Sequence, residues 1–314
     1  MTAHVPKATL YAFPAGSVWS APALLTAYEK HYTEQELEQR VVDLAKGENF
    51  SPAFLRISPE GHVPVLVVPY AHTVEDGITT KYKAIHGSSA VTSFLDEATN
   101  RSVSHSAPSL SPATVARAAS QKEIIELVHK DEYDPNVLLL SFRTEEERKK
   151  GAEGLPGGFL KGRQEALERY AKEVEVEGDE KLNVFYAKKI KENGDLRAIF
   201  EGKADGSEAQ KLGQQRWTDV SKLVNELEKK FEPDTPYLVG DQVSLADLHV
   251  GAYLARLLAI SGATSISSSD VPESVAKLDE NLTDGVKVGP KLTKLLEALF
   301  ERESFKKVYA DGFH

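Results

Sequence analysis

ISPEGHVPVLVVP, residues 57–69, sets Pro64 inside a run that otherwise reads as an apolar, β-branched strand. Proline cannot donate to a sheet ladder, so a strand interior is a poor place for it. Two readings fit the stretch taken alone. Pro64 can mark an edge strand or a bulge. Alternatively the Val63–Pro64 bond can be cis, a form that costs only about 0.5–1 kcal/mol over trans for an X–Pro bond. A cis bond there would turn the chain sharply and leave the backbone of Val63 open to an extended, peptide-like ligand.

The flanking sequence reads as an α/β unit. ATLYAF (8–13) is a short apolar run closed by Pro14 and suits a buried strand. SAPALLTAYEKHY follows, with Ser20 as a candidate N-cap and Pro22 tolerated in the first turn. EQRVVDL (38–44) reads as a second strand, SPAFLRI (51–57) as a short helix, HVPVLVVP (62–69) as a third strand and ITTKYKAI (78–85) as a fourth. SSAVTSFLDEAT (88–99) is an amphipathic helix with Ala90, Val91, Phe94 and Leu95 inward. The order is β-α-β-α-β-β-α.

Beyond residue 99 the pattern changes. NRSVSHSAPSLSPA (100–113) is rich in Ser and Pro and reads as a linker. Helical periodicity then dominates, from Ser111 and Pro112 onward and again near 179–193, 207–231, 244–261 and 290–308. GAEGLPGG (151–158) reads as a flexible connection; it is neither a dinucleotide fingerprint nor a P-loop. The division expected is 1–99 for an α/β domain and 100–314 for an all-helical one.

Charge and composition narrow the function. The 314 residues carry a net charge of −10, which opposes a phosphate backbone and argues against nucleic acid as a partner. There is no cysteine, so disulfides, a protein thiolate nucleophile and cysteine-ligated metals are excluded. Any thiol chemistry must use a thiol carried by a ligand. His62, His72, His86 and His105 lack metal-ligand spacing, and no metal is expected. No membrane span is expected, and MTAHVPKATLYAF lacks the features of a signal peptide, which gives a cytoplasmic expectation.

The βαβ unit, Val-Pro-Val-Leu, the hairpin and the Ser-Ser-Ala helix start together resemble the glutathione transferase family, most closely its fungal members. The resemblance spans residues 8–97, with further matches near the C-terminus in YLVGDQVSLADLHVGAYL (237–254) and FERESFKKVY (300–309). It implies a thioredoxin-like α/β domain followed by an all-α helical domain, a cytosolic homodimer, and glutathione as co-substrate with a hydrophobic electrophile as second substrate. It also implies a cis Val63–Pro64 bond whose Val63 backbone meets the cysteinyl part of glutathione, with His62 and Pro64 beside it. GSSAVTSFLDEA resembles the family segment whose serine binds the γ-glutamyl carboxylate; that serine is Ser88, followed by Ser89. Ser244 and Asp247 match the family's buried capping box.

The first loop carries the candidates for thiol activation. A free thiol has a pKa of about 8.5, and lowering it by two units needs about 2.7 kcal/mol of preference for the thiolate. A hydroxyl donor near a helix N-terminus supplies part of this. The resemblance implies a serine just after the first strand, and Pro-x-Gly-Ser points to Ser17. Ser20 and Tyr11 are the alternatives, although Ser20 equally suits a helix cap and Tyr11 a buried strand. Phe13 and Trp19 are candidates for the second-substrate pocket.

One position departs from the family pattern. Where the family carries Glu or Gln before the serine, to hold the ligand's amino group, this chain has Gly87, preceded by His86. Loss of one charge-assisted hydrogen bond costs roughly 1.5–3 kcal/mol. A binding or scaffold protein without transferase activity is therefore the alternative to an enzyme. A docking subunit of a translation-associated complex is a third possibility.

Overall fold

The computed structural model describes residues 8–14, 17–69, 82–98, 107–264 and 267–312. Four strands form one sheet: β1 (Ala8–Ala12), β2 (Leu37–Val41), β3 (Val65–Pro69) and β4 (Tyr82–His86), in the order β2-β1-β3-β4. β1 pairs parallel with β2 and antiparallel with β3, and β3 pairs antiparallel with β4. The helices in chain order are α1 (Ser20–Glu29), α2 (Pro52–Leu55), α3 (Ser88–Glu97), α4 (Val115–Val128), α5 (Pro135–Leu139), α6 (Glu145–Glu153), α7 (Leu155–Glu177), α8 (Glu180–Phe200), α9 (Ser207–Glu228), α10 (Leu245–Ile260), α11 (Val271–Asp279), α12 (Pro290–Phe300) and α13 (Glu303–Val308).

The Val63–Pro64 bond is cis, and Pro64 stands just outside the sheet. β3 begins one residue later, at Val65, and ends at Pro69. The edge-strand and bulge readings fail, because β3 is an interior strand flanked by β1 and β4. Val65, Leu66 and Val68 are sealed from solvent, as an uninterrupted apolar run in a covered sheet requires. The hairpin between β3 and β4 and the boundary at residue 99 lie outside the described residues.

Packing divides the chain into two compact units. The first comprises Met1–Val41, Val63–Pro135 and Asp219–His314. Its centre is α10, whose residues from Leu245 to Leu258 are buried on every side. Ser244 and Asp247 form its capping box: the Asp247 carboxylate accepts from the Ser244 amide (2.8 Å), the Ser244 hydroxyl (2.6 Å) and the Leu238 amide (2.9 Å). Burial nevertheless pushes the Asp247 carboxyl up to about 6. Lys30, at the C-terminal cap of α1, pairs with Asp96 on α3 at 2.9 Å and also donates to the Pro108 carbonyl, while Asp96 accepts from the Leu110 amide. The second half of the expected linker is thus pinned by buried charge rather than free. Arg302 reaches Glu29 at 2.6 Å and ties α13 to α1.

The second unit comprises Val42–His62 and Asn136–Thr218. Its core joins Phe50 and Leu55 to Leu167, Val174 and Tyr186, and the Tyr186 hydroxyl donates to the Phe50 carbonyl at 2.6 Å. Phe142, Leu160 and Phe200 form a further cluster. The stretch 151–158 is not a flexible connection. α6 and α7 are separated by Gly154 alone, and Gly157 and Gly158 are helical. A Cβ at Gly157 would lie 1.9 Å from the Ala152 carbonyl oxygen, so glycine is what lets the two helices meet at this corner.

Candidate functional site

Three chain segments leave the sheet of the first unit at one end. Tyr11 is paired with Val65, and Val65 with His86. β1 runs outward past this row, β3 starts at it, and β4 finishes at it. The loop carrying Ser17, the Val63–Pro64 peptide and the start of α3 at Ser88 therefore all emerge at the same edge. Val63 lies beyond the ladder, since pairing of β3 with either neighbour begins at Val65.

The turn between β1 and α1 is held by two serines. Ser20 is the first helical residue, with Trp19 in the cap position, so the expected Ser20 cap is replaced by another arrangement. The Ser17 hydroxyl oxygen accepts from the Ser20 amide at 3.1 Å, and the Ser17 carbonyl accepts from the Ser20 and Ala21 amides. The Ser20 hydroxyl faces back into the protein, fully buried, and accepts from the Phe13 amide at 3.2 Å. Ser17 thus serves helix initiation as an acceptor, and its hydroxyl hydrogen has no acceptor among the described residues. Tyr11 is engaged elsewhere: its hydroxyl accepts from Arg40 on β2 at 3.3 Å.

The start of α3 lacks a side-chain cap. Gly87 occupies the cap position with φ 83° and ψ 144°, and a Cβ there would meet nothing within 4 Å. The space is open, but the backbone lies where an L side chain is strained. A glutamate at this position is therefore disfavoured by conformation and not by crowding. Ser88 is the first helical residue and is buried, Ser89 is half-buried, and His86 is exposed at the end of β4.

Two histidines that sequence patterns did not single out stand behind Ser88. His129, at the C-terminal cap of α4, places Nε2 3.3 Å from the Ser88 hydroxyl and 3.0 Å from Nδ1 of His249 on α10. His249 Nε2 lies 3.1 Å from the Thr92 hydroxyl, which donates to the Ser89 carbonyl at 3.0 Å. Trp19 stacks on the His129 ring with centroids 4.1 Å apart and leans on Tyr253 at 6.5 Å. Burial pushes the His129 imidazole down to about 4. Burial, and then the neighbouring His129, hold His249 well below the usual histidine range. Both rings are therefore neutral near pH 7. The one available signal was His249 itself, a histidine on a mostly apolar helix.

The remaining expected residues are accounted for as follows. His62 belongs to the second unit, with an exposed side chain, and its backbone amide and carbonyl both bond the Ser58 hydroxyl at 3.0 Å. Phe13 is half-buried beside Ser20, and Trp19 is half-buried against His129. Among the described residues no group of three or more His, Asp or Glu is placed to hold a metal ion, and no helix is long and apolar enough to cross a membrane.

Comparison with known proteins gives the fold its name. Residues 196–279 match the profile of the glutathione S-transferase C-terminal domain. Glutathione S-transferase 1 of Dianthus caryophyllus is 37% identical over 67 residues, a match that spans 21% of this chain and 28% of that protein. The beta-etherase LigF from Sphingobium sp. superposes with a TM-score of 0.59 at 21% identity, covering 97% of this chain and 99% of its own. A glutathione transferase homolog from Sulfitobacter, crystallised with bound glutathione, gives a TM-score of 0.53 at 15% identity over 98% and 99% of the two chains. Gtt2 from Saccharomyces cerevisiae gives 0.52 at 17% identity over 96% and 99%. The chain has the glutathione transferase fold: a small α/β part with a four-stranded sheet, followed by a helical part.

Proposed function

We propose that this protein is a glutathione transferase-like enzyme that binds glutathione at the sheet edge described above and transfers it to a hydrophobic electrophile. The observation that carries this function is the common exit of Ser17, Val63 and Ser88, fixed by the register Tyr11↔Val65↔His86. Glutathione is a peptide-like ligand with a carboxylate at its γ-glutamyl end and a thiol at its centre. The backbone of Val63, beyond the ladder, pairs with its cysteinyl part. Its γ-glutamyl carboxylate meets Ser88 and the uncapped amides at the start of α3, where the helix end favours an anion. Its thiol lies against Ser17.

Ser17 acts as a hydrogen-bond donor and forms no bond to substrate carbon. The thiol proton leaves to solvent, the Ser17 hydroxyl donates to the thiolate, and the sulfur lone pair attacks the electrophilic carbon. The carbon–halogen or carbon–oxygen bond there breaks, and its electron pair leaves with the halide or the oxygen; where it is the oxygen, that atom takes a proton from solvent. The rate advantage comes from thiolate stabilisation and from holding the two reactants together. The electrophile packs near Phe13 and Trp19. Homodimerisation in the cytoplasm accompanies this function, and light scattering reads the former directly.

Gly87 favours a second function, ligand binding without turnover. Calorimetric titration with glutathione, followed by conjugation assays over a panel of aryl halides, epoxides and ethers, separates the two. Saturable binding with turnover supports the enzyme. Saturable binding without turnover supports the carrier. No binding at millimolar glutathione removes both.

A further inference from the structure

The absent side chain at Gly87 leaves the amino group of the ligand without its usual partner, and the histidine pair supplies another. The hydrogen-bond chain fixes both tautomers. Thr92 has one hydroxyl hydrogen and gives it to the Ser89 carbonyl, which can only accept. The Thr92 oxygen therefore accepts from His249, whose Nε2 must carry hydrogen. Neutral His249 then offers Nδ1 as an acceptor, and His129 Nε2 must donate to it. Neutral His129 is left with a bare lone pair on Nδ1, an atom with no hydrogen-bond partner among the described residues. The Ser88 hydroxyl, 3.3 Å from a nitrogen whose hydrogen is already committed, keeps its own hydrogen free to donate.

The two helix ends reinforce this arrangement. Ser88 opens α3 and His129 closes α4. A helix N-terminus carries partial positive charge and a C-terminus partial negative charge. Side by side, they match a zwitterion, with carboxylate on α3 and ammonium on α4.

We propose that His129 is a specificity-determining residue: its Nδ1 accepts a hydrogen bond from the ammonium of an α-amino acid headgroup whose carboxylate is held by Ser88. This rests on the glutathione function proposed above. His249 and Thr92 are positioning residues that set the tautomer, and Trp19 fixes the plane of the ring. The site selects ligands that bear both charges of a γ-glutamyl end over those that bear the carboxylate alone.

The test uses calorimetry of the full chain with two probes: glutathione and its des-amino analogue, in which hydrogen replaces the γ-glutamyl amine. Wild type should prefer glutathione ten- to a hundredfold, the range of one charge-assisted hydrogen bond. His129→Phe, which retains a ring to stack on Trp19, should bind both probes alike. His129→Gln, whose amide oxygen is an acceptor, should recover part of the preference. Because the preference is a ratio within each variant, a general loss of stability does not imitate it. Nitrogen-15 spectra should show His129 as the Nε2–H tautomer. Wild type that binds glutathione without discrimination, or His129→Phe that still discriminates, overturns the role of His129 and leaves the glutathione function standing. Wild type that binds neither probe overturns both.

Discussion

The start of α1 is closed by side chains, whereas the start of α3 is left open. At α1 the Ser17 oxygen takes the Ser20 amide and the Ser20 oxygen takes the Phe13 amide, so the turn is wired to itself. At α3 the cap position is Gly87, without a side chain, and the first-turn amides have no side-chain partner. A helix that caps itself has already used some of its donors, and what remains is one well-fixed hydroxyl. A helix that does not cap itself keeps its amides for an incoming anion. The first arrangement suits a group that must be aimed at one atom. The second suits a group that must receive a carboxylate. The polar backing differs as well. Both starts touch His129, but Trp19 at the start of α1 only stacks on its ring, whereas the Ser88 hydroxyl at the start of α3 lies within hydrogen-bond reach of it.

This comparison can be broken at several points. The largest effect is expected from Ser17→Ala, which should lower turnover ten- to a hundredfold at pH 7 while changing the glutathione dissociation constant little, as steady-state kinetics beside calorimetry will read. Unchanged turnover would move activation of the thiol to backbone amides.

Next in size is the response to acid. His129 titrates near 4 in the folded protein and near 6.5 in the unfolded chain, so the unfolded chain takes up the proton first as the pH falls. The stability that this ring confers above pH 6.5 is lost progressively toward pH 4, by about 2 kcal/mol between pH 7 and 5. His249 acts in the same direction. Asp247, raised to about 6, acts in the opposite one and returns roughly 1 kcal/mol over that interval. Urea unfolding at the two pH values should show a net loss, and His129→Phe should shrink it. A loss of equal size in that variant would place the acid sensitivity elsewhere.

Gly87→Glu restores the side chain that the family pattern carries, but on a backbone with φ 83°. It should cost about 1–3 kcal/mol of stability. Tighter glutathione binding with no loss of stability would show that α3 accepts a cap residue after all. The smallest effect is expected from Ser20→Ala. It leaves the Phe13 amide without its partner and should cost about 1 kcal/mol, with kcat unchanged. A fall in kcat there would erase the distinction between the two serines of the α1 turn.

Features set by neighbours in the chain were legible in the sequence. β1 and β3 announced themselves as apolar runs bounded by proline. The Ser244–Asp247 capping box was written in residues three positions apart, whereas the Val63–Pro64 dipeptide alone left two readings open and its cis form followed from the family resemblance. Both the α/β start and the helical remainder followed from periodicity. What failed did so where distant residues decide. Ser20 looked like a cap because its own neighbours permit it, but Phe13, on the far side of the turn, claims its hydroxyl. GAEGLPGG looked like a loop because glycine usually interrupts helices, yet here the contact of Gly157 with Ala152 requires the absence of a side chain. Periodicity also describes the faces of an element and not the partners it meets. For that reason β3 could be recognised as a strand while its interior place in the sheet could not.

By itself, the sequence determined the alternation of strands and helices at the α/β start, the helical character of most of the remainder, and which serines lie next to helix starts, because these depend on short-range sterics and local hydrogen bonding. Only the tertiary structure decided that His129 and His249, 120 residues apart, share a hydrogen bond behind Ser88. Imidazole charge and tautomer are set by burial and by the partner of each nitrogen, and neither exists until the chain has folded.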